Sequence, residues 1–302
     1  MVTMTKKRSN KIKPTKGELL FDFVNYTLIF LFILSILYPF WNTLLLSFAD
    51  QNEATNMGLR LWIDDWSLEA YKYLFKYKNI GLAYFNTIFR TVVGTALGLL
   101  LCFLAAYPLS KKNLPFRNFF TMFFVFTMFF NGGMVPLYLL IKDLHLIDSL
   151  WSLILPVAFS AYHMVIMRNF ISGIDIGLEE SAMIDGAGQF TIAFRIFAPL
   201  LKPVLATVAL WKIVGHWNSW FDSLIYIQSP EKQVLQTVVR SIISSMSVNS
   251  DAMEFSQIAG STLHSANVSA AAVLVTIGPI ILVYPFLQKY FVKGILVGSL
   301  KG

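Results

Sequence analysis

The chain has 302 residues, of which 56% are hydrophobic and only 14% are charged. Soluble domains carry about 25% charged residues, so this composition excludes an ordinary soluble protein and predicts one that is embedded in lipid. The formal net charge of +7 does not indicate a nucleic-acid partner, because six of the basic residues lie within the first sixteen positions.

The chain begins with a basic tail, which is followed by a long uncharged run. Phe23–Ala49 contains 27 residues without a charge. A secretory signal has an apolar core of only about 7–15 residues, whereas about 20 helical residues cross the hydrocarbon core of a bilayer. The pattern therefore predicts a basic cytoplasmic tail at 1–18 and a single transmembrane domain at 19–302, whose first span is retained. The basic residues of the tail are Lys6, Lys7, Arg8, Lys11, Lys13 and Lys16.

Long uncharged stretches recur along the chain and predict an all-α polytopic membrane protein with six transmembrane helices. Basic residues are retained on the cytoplasmic side of a membrane, and fifteen Lys and Arg residues flank the spans on one side against seven on the other. Both termini are therefore predicted in the cytoplasm, in a multi-pass protein of the cell membrane. The predicted spans are 20–47, 83–108, 118–141, 149–168, 203–227 and 270–291.

The second predicted span contains small and polar residues that call for separate interpretations. Gly94 and Gly98 have the spacing that lets two helices approach closely, either within the chain or against a partner subunit. Arg90 is predicted to be an interfacial anchor near the outer end of the span. Cys102 is predicted to be a small buried residue.

Three segments between the spans also carry predictions. Two long ones, about 48–82 and 228–269, are predicted outside the cell, and each is interpreted either as a surface for an external partner or as a solvated connector. Phe130–Pro136 contains two glycines and interrupts the third span. The following 137–146 is too short to cross the bilayer, so it is predicted to lie at the outer interface.

The cytoplasmic segment at about 172–200 is too polar to span the membrane. Glu179 and Glu180 would lie near a helix N-terminus, where negative charge is favourable. Gly186 suits the left-handed turn that ends a helix, and a second short helix would then run to Pro199. A helix, a glycine turn and a helix form a projection that either fills a groove on a partner or lies on the membrane surface as an amphipathic loop.

The same segment resembles the EAA motif of binding-protein-dependent ABC importers. Glu180-Ser181-Ala182 corresponds to the triplet, and Gly186 to the glycine that follows it after three residues. Nine further residues lead to Ile196–Pro199, which corresponds to the end of the motif. Asp185-Gly186-Ala187 is similar to the carbohydrate branch, and the tail 293–302 is similar to the second permease of maltose-type systems. Within the branch, the chain looks most like Gram-positive permeases for complex oligosaccharides.

This resemblance implies the type I ABC importer permease fold and a role that is not catalytic. It implies half of a translocation pathway for oligosaccharides, in complex with a second permease subunit, a cytoplasmic ATPase dimer and an extracellular sugar-binding protein. No phosphate-binding loop of the Gly-x4-Gly-Lys-Ser/Thr type occurs in the sequence, so no cofactor is expected in this chain, and ATP and Mg²⁺ belong to the partner ATPase. The residues implied in ATPase coupling are Glu179, Glu180, Ser181, Ala182, Asp185, Gly186, Ala187 and Pro199.

The fifth predicted span carries ionisable residues, which are costly in lipid and usually face a cavity. At helical spacing, Lys212, His216, Ser219 and Ser223 would share one face. They are interpreted either as part of a sugar pathway or as pairing partners of neighbouring helices. The residues predicted to line the pathway are Lys212, His216, Asn218, Trp220 and Asp222.

The alternative function is a secondary transporter or a channel for a polar solute. A secondary transporter is expected to contain internal repeats with broken helices at matching positions, and none is evident in the sequence. A metalloenzyme is disfavoured because the four histidines are scattered without metal-ligand spacing. No metal site is therefore predicted.

Overall fold

The computed structural model describes residues 15–50, 53–54, 58, 60–77, 79–249 and 265–299. These residues form a bundle of helices, which confirms the predicted all-α class. The basic residues of the tail before Lys16, the stretch 250–264 of the second external segment and the end of the C-terminal tail lie outside the described residues. In chain order the helices are α1 (Lys16–Phe48), α2 (Glu69–Lys76), α3 (Ile80–Ser110), α4 (Arg117–Phe129), α5 (Met134–Asp143), α6 (Leu150–Ala158), α7 (Ala161–Ser172), α8 (Gly177–Ile184), α9 (Gln189–Leu200), α10 (Lys202–Asn218), α11 (Phe221–Tyr226), α12 (Leu235–Asn249) and α13 (Ser265–Ser299).

Two helices, α1 and α3, are by themselves long and apolar enough to cross a membrane. Three bent pairs qualify only when each pair counts as one span: α4 with α5, α6 with α7, and α9 with α10, at angles of 111°, 47° and 79°. The described apolar part of α13, Ala266–Leu282, is shorter. Length and composition therefore support two to five spans among the described residues, and six stays a prediction.

Several predicted spans contain breaks. The third, 118–141, is not continuous, because α4 ends at Phe129 and α5 leaves at 111°. Gly133 supplies the turn with a φ of +86°, and its N–H donates to Asn131 Oδ1 at 2.8 Å. The predicted interruption is thus confirmed, and α4 alone is only about 20 Å long at 1.5 Å per residue. The fourth span breaks between α6 and α7, and the fifth, 203–227, breaks after Asn218.

The first helix begins at a capping box. The Thr15 hydroxyl accepts from the N–H of Glu18 at 3.3 Å, and the Glu18 carboxylate accepts from the N–H of Thr15 at 2.6 Å. These two bonds satisfy backbone donors that the helix leaves free at its start. The helix is then apolar on all sides and almost entirely exposed within this chain. Such a surface suits contact with lipid or with another membrane subunit.

The centre of the bundle is α3, which packs against α7 and α10. A Cβ atom at Gly94 would lie 2.5 Å from His216 Nε2, and one at Gly98 would lie 2.7 Å from the carbonyl oxygen of Ala158. Close helix approach at this glycine pair is therefore confirmed. The neighbours belong to the same chain, so packing of these two glycines against a partner subunit is wrong. Cys102 is fully buried one turn further along, as predicted.

Gly98→Ala is expected to destabilise the protein by about 1–3 kcal/mol, because the added methyl group meets a backbone carbonyl that cannot rotate away. Thermal unfolding of the purified protein in detergent measures the change. Gly81→Ala is the matched control on the same helix, since nothing lies within 4 Å of a Cβ there. Equal melting temperatures for the two variants would contradict the close packing.

One end of the bundle is held together by Asp148, in the loop after α5. Its carboxylate accepts hydrogen bonds from Ser229 Oγ at 2.6 Å, Lys232 Nζ at 2.8 Å and the backbone N–H groups of Ser229 and Gln228. Burial raises the pKa of this carboxyl group, but the hydrogen bonds from Lys232, Ser229 and Gln228 outweigh it, and the pKa lies well below its ordinary value. The ionised carboxylate thus fastens the loop after α11 to the loop after α5.

Candidate functional sites in the bundle and on its projecting loop

The polar residues of α10 face α3 in an antiparallel register. Lys212 lies beside Gly98, and His216 lies beside Gly94. Both side chains are only 5% exposed. The glycines therefore make room for the two polar side chains. Sequence analysis predicted that Lys212 and His216 line a pathway, but it did not predict that they pack against Gly98 and Gly94.

One turn nearer the start of α3, Arg90 pairs with Asp222. Arg90 Nη1 donates to Asp222 Oδ1 at 3.2 Å and to the carbonyl of Ser219 at 3.3 Å, while Nη2 contacts Asp222 Oδ2. Arg90 is 1% exposed and stands ten residues into α3, which is about 15 Å from the start of the helix. The prediction that it anchors the outer interface is therefore wrong, because a carboxylate on another helix satisfies it inside the bundle.

Asp222 itself does not share a helical face with Lys212. After Asn218 the chain leaves α10, and α11 begins only at Phe221. The continuous polar face predicted through Ser219 and Ser223 is therefore wrong. Instead, Ser219 Oγ donates to Asp222 Oδ1 at 2.9 Å across the break, which places this carboxylate toward Arg90.

The remaining predicted pathway residues lie outside this group. The Asn218 amide is exposed and donates to the carbonyl of Val214, one turn back on the same helix. Trp220 is half-buried beneath Arg240, whose guanidinium lies 3.8 Å from the ring centroid. The structure thus brings together Lys212, His216 and, through Arg90, Asp222, but not Asn218 or Trp220. Among the described residues, no group of three His, Cys, Asp or Glu side chains is arranged to hold a metal.

A cavity of about 240 Å³ adjoins this polar cluster. At its rim the indole of Trp211 stacks on the ring of His163 with 5.7 Å between centroids and 20° between planes. The indole is also 6.1 Å from the ring of Tyr162. The side chains that line the cavity are Arg90, Val157, Ser160, His163, Trp211, Lys212, His216 and Ser219. The cavity therefore combines aromatic faces with hydrogen-bond donors.

Lys212 is one of two buried cations that line this cavity. Its Nζ donates to the carbonyl oxygens of Ala158 at 2.9 Å and Val157 at 3.3 Å. These carbonyls lie at the end of α6, where the helix break leaves them without helical partners. No acidic side chain in the described part of the chain forms an ion pair with Lys212.

The segment at about 172–200 forms the predicted projection of a helix, a glycine turn and a second helix. The first helix, α8, begins at Gly177, whose N–H donates to Asp175 Oδ1 at 2.9 Å, and it carries both Glu179 and Glu180 in its first turn. It ends at Ile184, and Gly186 makes the turn that follows, with a φ of +82°. The second helix, α9, then runs to Leu200 through a π-helical stretch at Ile192–Phe197.

The projection has an inner face, which packs against the rest of the bundle, and an outer face, which is exposed. The residues of the motif are divided between these two faces. Glu179 and Ala182 are buried, and Ala187 packs partly against the core. The exposed residues are Glu180, Ser181, Asp185, Gly186 and Pro199. Ile184, which lies beside Asp185 in the sequence, is 86% exposed. The outer face therefore offers an exposed carboxylate beside a large apolar side chain.

The inner face is fastened to the C-terminal end of α3 by a lysine that sequence analysis did not single out. Lys111 Nζ forms an ion pair with Glu179. The same ammonium lies 4.2 Å from the ring centroid of Tyr107 and 4.4 Å from that of Phe197. The Tyr107 hydroxyl also donates to Gln189 Oε1 at 3.0 Å. We call these five residues the loop anchor, because they connect both helices of the projection to α3.

The chain is similar to known membrane transport proteins. Residues 98–297 match the family described as the binding-protein-dependent transport system inner membrane component. The polygalacturonan/rhamnogalacturonan transport system permease protein YtcP of Bacillus subtilis is 38% identical over 284 residues, which are 94% of this chain and 99% of that protein. The arabinooligosaccharides transport system permease protein AraQ of Bacillus subtilis is 32% identical over 91% of this chain and 94% of that protein.

A solved structure also matches. It is a crystal structure of a bacterial ABC transporter involved in the import of the acidic polysaccharide alginate. The matching chain is 32% identical, with a TM-score of 0.86, and the match covers 93% of this chain and 100% of that one. This likeness confirms the predicted importer permease fold.

Proposed function

The chain belongs to the family of inner membrane components of binding-protein-dependent transport systems, as a non-catalytic permease subunit, and we propose that it forms half of the translocation pathway of an ATP-driven oligosaccharide importer. The similarity over 94% of the chain to YtcP, a permease for polygalacturonan and rhamnogalacturonan, carries the assignment of substrate class. The likeness to the alginate importer supports the same class.

The proposed partners follow from this role. A second permease subunit completes the pathway, an extracellular sugar-binding protein delivers the substrate, and a cytoplasmic ATPase dimer holds ATP and Mg²⁺. Both termini are proposed in the cytoplasm, which puts the projection of α8 and α9 on the ATPase side. The exposed face with Glu180 and Ile184 supports docking there, because an exposed apolar side chain beside a charge is typical of a contact surface.

The anchored geometry explains how such docking would move the bundle. Glu179 ties the projection to Lys111 at the end of α3, and α3 packs along α10. A displacement of the projection is therefore transmitted to the helix that carries Arg90 and the two packing glycines. Rigid-body movement of this kind opens and closes a pathway without any covalent step in the permease.

Reconstitution tests the function. The chain is purified with its co-expressed partners, placed in liposomes with ATP, and supplied with labelled oligosaccharide and the binding protein. We expect uptake that requires ATP. Uptake of a polar solute by the purified chain alone, without ATP, would instead support a secondary transporter or a channel.

Glu180→Lys is expected to reduce coupled uptake by at least about tenfold, because it reverses an exposed charge that faces the ATPase and so replaces an attraction by a repulsion. ATP-dependent uptake and copurification of the ATPase are measured together. Lys202→Glu, at an exposed lysine on the first turn of α10, is the matched control, since a negative charge at a helix start is tolerated. Normal uptake by Glu180→Lys would exclude the proposed docking face.

A further inference from the structure

We infer that the cavity beside Lys212 recognises the carboxylate of an acidic sugar, a uronate, during passage. The inference rests on the proposed function and narrows its substrate class from oligosaccharides in general to negatively charged ones. It is carried by the charges and free donors that the chain itself presents at the cavity.

The charge at the cavity is not balanced. The cavity is lined by two basic side chains, Arg90 and Lys212, and by no acidic residue of the described chain. Asp222 neutralises Arg90 and is not itself part of the cavity lining, which leaves Lys212 without a carboxylate partner among the described residues. A buried cation in lipid is costly unless an opposite charge reaches it. An anionic substrate would supply that charge at the moment it occupies the cavity.

The hydrogen-bonding groups at the cavity are also incompletely used. Lys212 Nζ has three donors and gives two of them to backbone carbonyls. Arg90 Nε and His163 Nδ1 have no partner in the described structure, and Arg90 is 1% exposed. Buried polar groups are normally satisfied, so unpaired ones at a cavity point to a ligand. A carboxylate accepts up to about four hydrogen bonds, which suits this set of donors.

The rim of the cavity supplies the complementary surface for a sugar ring. Trp211 is 39% exposed and Tyr162 is 52% exposed, and both rings lie beside His163. Aromatic faces bind the apolar faces of sugar rings by burying C–H surface. Trp211 and Lys212 both line this cavity, so a pyranose on the indole would share the cavity with the ammonium group.

A purely structural role for Lys212 makes a different prediction. In that case the ammonium only caps the free carbonyls of Val157 and Ala158 at the helix break. Its removal would then weaken the fold, and it would affect acidic and neutral sugars to the same degree. The ratio of the affinities for acidic and neutral sugars therefore distinguishes a substrate-binding role of Lys212 from a structural one, whereas a loss of total activity does not.

The test measures equilibrium binding to the purified transporter complex in lipid nanodiscs. The probes are labelled trisaccharides of galacturonate and of mannuronate, each beside its counterpart with the carboxyl groups reduced to neutral alcohols. We expect at least one acidic trisaccharide to bind about tenfold tighter than its neutral counterpart, the effect of one charge-assisted contact. Equal or weaker binding of both acids overturns the inference.

Variants locate the effect. Lys212→Met is expected to remove most of the preference for acid, and Lys212→Arg to keep it. Trp211→Ala is expected to weaken binding of both probe types and to leave their ratio unchanged. Lys142→Met, at an exposed lysine on α5, is the matched control. If Lys212→Met does not fold, His163→Phe is used, which keeps the ring stack and is expected to lower the preference severalfold.

The outcomes for the two proposals are distinguishable. ATP-dependent uptake of neutral oligosaccharides, without preference for acids in binding, would leave the importer function intact and exclude the uronate site. The absence of any ATP-dependent sugar uptake would exclude the importer function itself. An unchanged ratio in both Lys212→Met and His163→Phe would also overturn the uronate site.

Discussion

Asp222→Ala is expected to destabilise the bundle by about 3–5 kcal/mol, because removal of one member of a buried ion pair leaves the other charge without compensation. The guanidinium of Arg90 would keep only its bond to the Ser219 carbonyl and would remain buried at 1% exposure. Thermal unfolding of the purified protein in detergent, followed by tryptophan fluorescence, measures the loss. The expected result is a variant that inserts into the membrane but melts far below the wild type.

Two controls distinguish an unpaired charge from a simple loss of contacts. The double variant Arg90→Leu/Asp222→Leu removes both charges, and apolar replacement of a buried pair is often close to neutral. It should therefore be more stable than Asp222→Ala. Glu69→Ala breaks an exposed ion pair, in which Lys72 Nζ lies 2.7 Å from Glu69 Oε1. This variant should lose less than about 1 kcal/mol of stability. A double variant as unstable as Asp222→Ala would contradict the ion-pair explanation.

This pair also shows where sequence reasoning fails. Arg90 and Asp222 are 132 positions apart, and their pairing depends on the antiparallel register of α3 and α10 and on the helix break that follows α10. No local pattern encodes that register. The helix break between Asn218 and Phe221 contains neither glycine nor proline, so helical spacing was extended through it and wrongly placed Ser219 and Ser223 on one continuous face with Lys212.

Features with a local cause were predicted well. The turn at Gly186 needs a positive φ, and the break in the third span is set by Gly132 and Gly133, so composition alone located both. Gly94 and Gly98 predicted close packing for a different local reason, because a residue without a side chain lets two helices approach each other. Only the structure identified Lys212 and His216 as the residues that pack there, because the spacing of two glycines does not indicate which helix lies against them.

The loop anchor was missed for a further reason. Lys111 was counted only as one of several basic residues that indicate the cytoplasmic side. Its specific role depends on the rings of Tyr107 and Phe197 and on the carboxylate of Glu179, which come from three separate helices. Charge counting assigns such a residue to a side of the membrane but does not assign a contact to it.

Glu179→Ala is expected to reduce coupled uptake by tenfold or more while ATP hydrolysis continues. The ion pair with Lys111 is largely buried, with side chains 11% and 18% exposed, so its loss should weaken the attachment of the projection by about 3 kcal/mol. The ammonium of Lys111 would retain its contacts with Tyr107 and Phe197, which alone are worth about 1 kcal/mol each. Uptake and ATP hydrolysis are measured in the same liposomes.

The neighbouring residue Glu180 supplies the matched comparison, because the two carboxylates are adjacent in sequence but face opposite ways. Glu180→Lys should weaken copurification of the ATPase, whereas Glu179→Ala should retain the ATPase and lose only the transmission to α3. Charge exchange in Lys111→Glu/Glu179→Lys should restore uptake only in part, since a carboxylate at position 111 is repelled by the faces of Tyr107 and Phe197. Full recovery would show that the rings contribute nothing, and loss of the ATPase from Glu179→Ala would assign that carboxylate to the docking face instead.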